Sequence, residues 1–343
     1  MRRASANPVS TRRRREPFAP LVPTHAAGQC GLRRRPGRAT RRRPDLPQRP
    51  DPAHRAPPGG GTDNIARVLQ QPLAQELGQP VIIENKPGAS GIIGTDQLAK
   101  SAPDGHTLLV GITSFLLVNK FLYSKMPLDL EKDLARLYRV SDTGVVLTVN
   151  AALPVKTLGD LFKYIEANRG KLSFGSYGLG SYPHLAGERI NQLTQGGLAH
   201  AAYKGEAPMI QAMLARDIDF GWSSVQPLQQ HSERLRPLAV TGPKRLVAAS
   251  HIPTFAEAGV PDEAFAILGW VGIVVPGKTP DAIKQTLSQA IAKVLSTPSI
   301  NKRMLDMGYP AVTDSTPQQY EALYQKDMGK WAKLVQSVGV KLD

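Results

Sequence analysis

Pro57-Pro58-Gly59-Gly60-Gly61-Thr62-Asp63-Asn64-Ile65-Ala66-Arg67 is the stretch on which the reading of the fold turns. Two prolines stiffen the approach. Three glycines admit positive φ and let the backbone come close to a ligand. Thr62 or Asp63 is then placed to cap a helix whose apolar face runs Ile65, Val68, Leu69, Leu73, Leu77. A glycine turn that opens a helix aims free N–H groups at one point, which suits a carboxylate or a phosphate. An ordinary loop and N-cap carry the same signature, so the stretch alone leaves both readings open.

The pattern recurs downstream. Pro80-Val81-Ile82-Ile83-Glu84 reads as a short buried strand that enters Asn85-Lys86-Pro87-Gly88-Ala89-Ser90-Gly91 and a helix through Ile92, Ile93 and Leu98. Thr107 to Gly111 reads as a third strand, followed by Thr113 and Ser114. Leu172-Ser173-Phe174-Gly175 enters the loop from Ser176 to His184 and a helix over 185–193. Ala201 to Glu206 leads to a helix through Ile210, Met213 and Leu214. Further strands are expected at 144–149, 217–222, 235–240 and 267–275, and a short helix at 252–259. Thr279-Pro280 and Thr316-Pro317 each place a cap before a helix-opening proline, starting helices over 281–295 and from 318 to about 338. Repeated strand, glycine loop, helix units imply parallel sheets with ligand contacts at the carboxyl ends of the strands.

Composition narrows the function. The 343 residues suffice for two sizeable cores. Of the 43 Lys and Arg, 15 lie in residues 1–56 with only 3 of the 28 acids, which leaves 28 bases against 25 acids in the remainder. The basic balance belongs to the leader, and the body shows no basic stripe of the kind that binds nucleic acid. The one cysteine, Cys30, is also in the leader, so the body has neither disulfide nor thiol chemistry. No apolar run approaches a membrane span.

Residues 1–56 are rich in Arg and Pro and lack the apolar core of a secretory signal. A sheet protein of this layout needs a strand leading into Pro57. Back-translated and shifted by one base, Leu46 to Ala56 can read Tyr-Pro-Ser-Asp-Pro-Ile-Arg-Leu-Ile-Val-Pro, which would supply it. The leader is therefore expected to be an out-of-frame signal peptide and first strand, the alternative being a genuine basic tail.

Several chemistries lack their motifs. There is no G-x-x-x-x-G-K-[ST], no G-x-G-x-x-G at Gly175, Gly178 and Gly180, and no G-x-S-x-G. The body's histidines have no zinc-ligand spacing. His184 reads as a capping or packing residue, and Asp217 with Asp219 as a solvated turn. Glycine and serine loops without a nucleophile and base beside them favour a binder over an enzyme, with no cofactor and no metal.

Nine pieces in order resemble the tripartite tricarboxylate transporter receptors, the Bug-type extracytoplasmic solute-binding proteins. They are Pro57 to Asp63, Glu84 to Gly94, Pro103 to Leu109, Gly178 to Ser181 with His184 to Glu188, Tyr203 to Pro208, Leu238 to Thr241, Pro253 to Gly259, Trp270 to Gly272, and Pro276 to Pro280. The resemblance implies an α/β, two-domain periplasmic binding protein of the Venus-flytrap type with a mainly parallel sheet in each domain. Domain I would take 57–150 and 270–343, and domain II 151–269. A small carboxylate would be caught by hinge closure and passed to the membrane subunits of such a transporter or to a signalling partner. The protein would be a periplasmic monomer, with no nucleic-acid partner, although the leader as it stands puts export in doubt. One wall of the site would be Pro58, Gly59, Gly60, Gly61, Thr62, Asp63, Gly88, Ser90 and Gly91, with Thr113 and Ser114 nearby. The other would be Ser176, Tyr177, Gly178, Ser181, Lys204 and Ser223. The competing reading is an enzyme acting on a small organic acid through the Ser176–Ser181 loop.

Overall fold

The computed structural model describes residues 61–86 and 88–342. In chain order the elements are α1 (Gly61–Leu77), α2 (Ile92–Ala99), β1 (Leu109–Ile112), α3 (Asn119–Leu122), β2 (Leu134–Thr143), β3 (Val146–Asn150), α4 (Leu158–Ala167), β4 (Ser173–Ser176), α5 (Tyr182–Thr194), β5 (Ala199–Ala202), α6 (Glu206–Ala215), β6 (Phe220–Ser223), α7 (Val225–Gln230), β7 (Leu235–Val240), β8 (Gly269–Pro276), α8 (Asp281–Leu295), α9 (Pro298–Asp306) and α10 (Pro317–Val338). The fold is α/β, as expected. Among the described residues no helix is long and apolar enough to cross a membrane.

The strands form two sheets, ordered β1-β8-β2 and β5-β4-β6-β3-β7. The chain crosses from the first to the second after β2 and returns at β8. In the second sheet β4 runs parallel to β5 and to β6, while β3 runs antiparallel to both β6 and β7. The parallel part follows from helices α5 and α6, which carry the chain back to the same edge each time. In the first sheet the three described strands are all antiparallel, because β8 enters from the opposite end between β1 and β2. A mainly parallel sheet in each half was expected; the described strands of the first are antiparallel, and the second is mixed, with two parallel and two antiparallel pairings among the described strands.

Other elements also depart from the sequence pattern. Residues 80–84 carry only a single bridge, at Ile82, whose side chain is 46 % exposed. The segment 252–259 is a turn rather than a helix. The Thr254 backbone N–H donates to Glu257 Oε2 at 2.8 Å and Thr254 Oγ1 accepts from the Glu257 N–H at 3.1 Å. Thr62 and Asp63 sit inside the first turn of α1 and do not cap it. The Thr316 cap holds, in a reciprocal capping box with Gln319, and Thr157 makes another with Asp160; Thr279 does not cap α8, which opens at Asp281 after Pro280, because its hydroxyl donates to the Pro276 carbonyl at 2.7 Å.

Three buried clusters fill the fold. One lies under α1 and α8 against β1, β2 and β8. Another is built on α6 around Met209 and Met213. The largest runs from Leu117 and Leu122 through Phe174 and Trp222 to Trp270 and Trp331, and Tyr182 on α5 meets Trp331 on α10 edge to face at 5.0 Å.

Helix α5 lies directly on β4. A Cβ added at Gly187 would come 2.1 Å from the fully buried Phe174 ring. Gly→Ala in a helix gains about 1 kcal/mol of propensity, whereas forcing a methyl into a packed core costs roughly 1–3 kcal/mol. Gly187→Ala is therefore expected to lower the urea midpoint with an unchanged m-value; a higher midpoint would show that α5 can lift off β4 at little cost.

Candidate functional site

A cleft of about 190 Å³ opens between the two sheets' elements. One side is Gly61 and Asn64 on the first turn of α1, with Tyr309 just after α9. The other is Glu206, Ala207, Ile210 and Gln211 at the start of α6, then Ser224 and α7, which brings Gln226, Gln230 and His231. Gly61 is required by packing: a Cβ there would stand 2.1 Å from the Tyr309 hydroxyl. The start of α1 presents backbone N–H groups without an intrahelical partner.

The residues read from the sequence have divided roles. Pro58, Gly59 and Gly60 lie outside the described residues, and Gly61 lines the cleft. Thr62 and Asp63 are buried. The Asp63 carboxylate accepts from Arg67 Nε at 3.0 Å and from Asn85 Nδ2 at 3.2 Å, so it ties α1 to the second glycine loop. Gly88 and Gly91 take positive φ, 121° and 85°, as does Ser90 at 49°. Ser90 Oγ donates to the Leu179 carbonyl at 2.9 Å, linking that loop to the serine loop, and Asn119 Nδ2 donates to the Ser90 carbonyl. Thr113 Oγ1 donates to the Trp270 carbonyl and accepts from its N–H, and Ser114 is buried beside it. Both belong to the strand junction and not to the cleft lining.

On the opposite wall the expected hydroxyls face inward. Ser176 is fully buried, and Ser176 Oγ and Ser181 Oγ both donate to the Gly178 carbonyl, at 3.1 and 2.7 Å. They hold the loop in shape. Tyr177 keeps a buried hydroxyl without a hydrogen-bond partner among the described residues. Lys204 is exposed and does not line the cleft. Ser223 is also off the site: its hydroxyl pairs with Thr148 Oγ1 at 3.2 Å, buried between β3 and β6. The next residue, Ser224, lines the cleft instead. Glu206, Ser224, Tyr309 and the amides of Asn64, Gln211, Gln226 and Gln230 were not picked out from sequence. Glu206 and Ser224 each lay within a residue or two of a chosen position, and Tyr309 had no local signal.

No base beside Ser176 was expected, yet one is present. His200 Nε2 lies 2.7 Å from Ser176 Oγ, because parallel pairing of β4 with β5 puts Phe174 opposite His200 and Ser176 opposite Ala202. The Gly178 carbonyl, 3.1 Å from Oγ, competes with His200 Nε2 for the serine's single proton. His200 also stacks on His184 at 4.0 Å and on Phe174 at 4.8 Å. His184 Nδ1 accepts from the Gly180 N–H at 3.0 Å, which leaves the proton on Nε2, 3.8 Å from Glu188 Oε1. His184, Glu188 and His200 thus gather potential ligand atoms within 4.8 Å. Their geometry does not suit a metal: the rings are within 9° of parallel, so one ion cannot lie in both ring planes. Burial pushes both imidazoles down to about 4, with the neighbouring His200 adding to the effect on His184. At Glu206 burial raises the carboxyl above its ordinary range, opposed by two hydrogen bonds from Ser224.

Residues 65–340 match the tripartite tricarboxylate transporter family receptor. Protein BugT of Bordetella pertussis is 33 % identical over 289 residues, covering 83 % of this chain and 88 % of the relative. The periplasmic binding protein BugD superposes with a TM-score of 0.78 at 28 % identity, over 84 % of this chain and 98 % of that one. Rpa4515 of R. palustris, solved with adipate, superposes with a TM-score of 0.80 at 30 % identity, over 87 % and 99 % of the two chains.

The two histidines set a testable pH dependence. Each binds a proton more weakly folded than unfolded, so their neutral forms contribute full stability above the unfolded value near 6.5, and this is lost as pH falls towards about 4. With His200 only half-buried and the two stacked rings charging in turn, the loss is expected to be roughly 2–3 kcal/mol for the pair. Urea midpoints across that window should fall, and His200→Gln, which titrates nothing there, should remove about half of the drop.

Proposed function

The chain belongs to the tripartite tricarboxylate transporter receptor family, and from that membership and the cleft we infer that it is a periplasmic receptor that captures a small carboxylate-bearing solute. The observation that carries this reading is the meeting of the α1 start, at Gly61 and Asn64, with the α6 start and Ser224 across one cleft. Backbone N–H groups at a helix start can match a carboxylate without the desolvation cost of a buried guanidinium. The volume, roughly six water molecules, suits a small acid. The adipate held by Rpa4515 is a solute of that class.

In this reading residues 57–150 and 270–343 form one lobe and 151–269 the other, and the ligand favours the closed arrangement. The Ser90–Leu179 hydrogen bond would be made on closure. The loaded receptor then hands its solute to membrane subunits of a tripartite transporter or to a signalling partner. The protein works as a monomer.

A hydrolase built on Ser176 and His200 is the second reading, favoured by their 2.7 Å contact. It is the weaker one. The hydroxyl is fully buried, the Gly178 carbonyl competes for its proton, and burial makes the imidazole a poor base.

A panel of mono-, di- and tricarboxylates and amino acids tests the receptor reading by thermal shift. A cognate acid at about a hundred times its Kd should add roughly 2.7 kcal/mol of stability, while a panel without any shift would overturn it. A fluorophosphonate probe should leave Ser176 unlabelled; labelling that His200→Gln abolishes would revive the hydrolase.

A further inference from the structure

The cleft carries an acid where a carboxylate receptor would gain from a base. Among its described lining residues there is no Lys or Arg, and the one carboxylate is Glu206. Glu206 is held from behind: Ser224 donates its backbone N–H to Oε1 and its hydroxyl to Oε2, the latter at 3.1 Å. Each oxygen keeps a second acceptor position. Half-buried Glu206 makes no ion pair among the described residues, whereas the two buried acids there do, Asp63 with Arg67 and Asp327 with Lys330.

Its surroundings suit a cation. Tyr309 lines the same cleft. Tyr177 lies near enough for the Glu206 charge to add to the burial that raises its phenol, and its hydroxyl is buried without a partner. A phenol ring beside an oriented carboxylate can make an ammonium site, and here Tyr309 is the phenol in the lining. Burial disfavours the ionised form of Glu206 while the cleft is empty, and a bound cation would restore it. The acid is also preorganised, so little ordering is needed when a ligand arrives.

We propose that Glu206 is the cation-recognising residue of the cleft and that the solute is a small zwitterion, with its carboxylate at the start of α1 and its ammonium against Glu206. This rests on the receptor reading and narrows it. A dianion of the same size would put a second negative charge beside Glu206, with His231 the one basic side chain in the described lining and no Lys or Arg to offset it. A zwitterion satisfies both ends. Glu206 would then select the solute, and the helix start would hold the feature shared by all candidate acids.

The test compares pairs that differ by the amine: glycine with acetate, β-alanine with propionate, 4-aminobutyrate with butyrate, and L-glutamate with glutarate. Kd values are measured by calorimetry on the full chain. At least one amine-bearing probe should bind about tenfold or more tighter than its deaminated partner. Glu206→Gln, which keeps the shape and the Ser224 contacts to Oε1, should reduce that preference to within about threefold with the melting temperature of the empty protein little changed. Tighter binding of the deaminated acids overturns the proposal and leaves the receptor reading standing. A preference untouched in Glu206→Gln also overturns it, and makes Glu206 a structural clamp on α7. Binding of none of the eight overturns the zwitterion, and the wider acid panel then decides whether any receptor function remains. The wild-type comparison is decisive even if the variant fails to fold.

Discussion

Strand β8 is the constraint on which the molecule depends. All eight residues from Gly269 to Pro276 are buried, and it is paired on both edges, with β1 and β2. A strand in that position has no water to satisfy its backbone, so every N–H and C=O must find a protein partner. Where the pairing with β1 runs out, at Trp270, Thr113 Oγ1 takes over both bonds. Gly272 admits the Tyr320 hydroxyl at a point where a Cβ would clash at 1.9 Å. The chain arrives there after building the whole second sheet, so the first sheet is completed last in sequence. That insertion completes the sheet on which α1 packs, and so fixes the α1 wall of the cleft.

The serine–glycine loop shows how a polar motif can serve shape first. Ser176 and Ser181 converge on one carbonyl, that of Gly178, and the stacked His184 and His200 hold the loop from beneath through Gly180 and Ser176. Gly180 takes φ 73° and packs its Cα against Leu122 and Leu342. Each hydroxyl and ring nitrogen satisfied internally is one fewer available to a ligand. Side chains that look like contacts in sequence are here spent on fixing the backbone, and the cleft's polar lining comes from neighbours that look ordinary.

How much could be read from the sequence follows the same division. The second glycine loop, the Thr316 cap and the strands at 109–112, 146–150, 173–176 and 235–240 were legible because periodicity and turn chemistry are local. Strand β2 was not read at all: its burial pattern breaks alternation at two register shifts, so no period of two persists. Ser223 was chosen over Ser224 because the exact end of a strand decides which face the next side chain takes, and one residue reverses it. His200 reached Ser176 through a parallel pairing 24 residues away in sequence, which no local pattern encodes. Tyr309 reaches Gly61 through the return of the chain after β8, the least local contact in the site.

The contacts between the two sheets' elements differ in kind, and the difference bears on motion. Ser90 Oγ to Leu179 is an exposed hydrogen bond, worth about 0.5–1.5 kcal/mol net. Gly308 lies beside Val225, close enough that an added Cβ would come 3.2 Å from the Val225 Cβ. On α10, by contrast, Trp331 and Leu334 belong to the same buried cluster as Tyr182 and Leu185 of α5, and the Tyr182 hydroxyl is anchored to the carbonyls of Ala264 and Ile267. Exposing one such aromatic to water costs about 1.5–3 kcal/mol. Were the cleft to open by a hinge, as the proposed receptor function requires, it would break the first kind of contact and keep the second. Helix α10 would then be the pivot and the weak Ser90–Leu179 bond the catch, small enough for a ligand's differential affinity to decide its state.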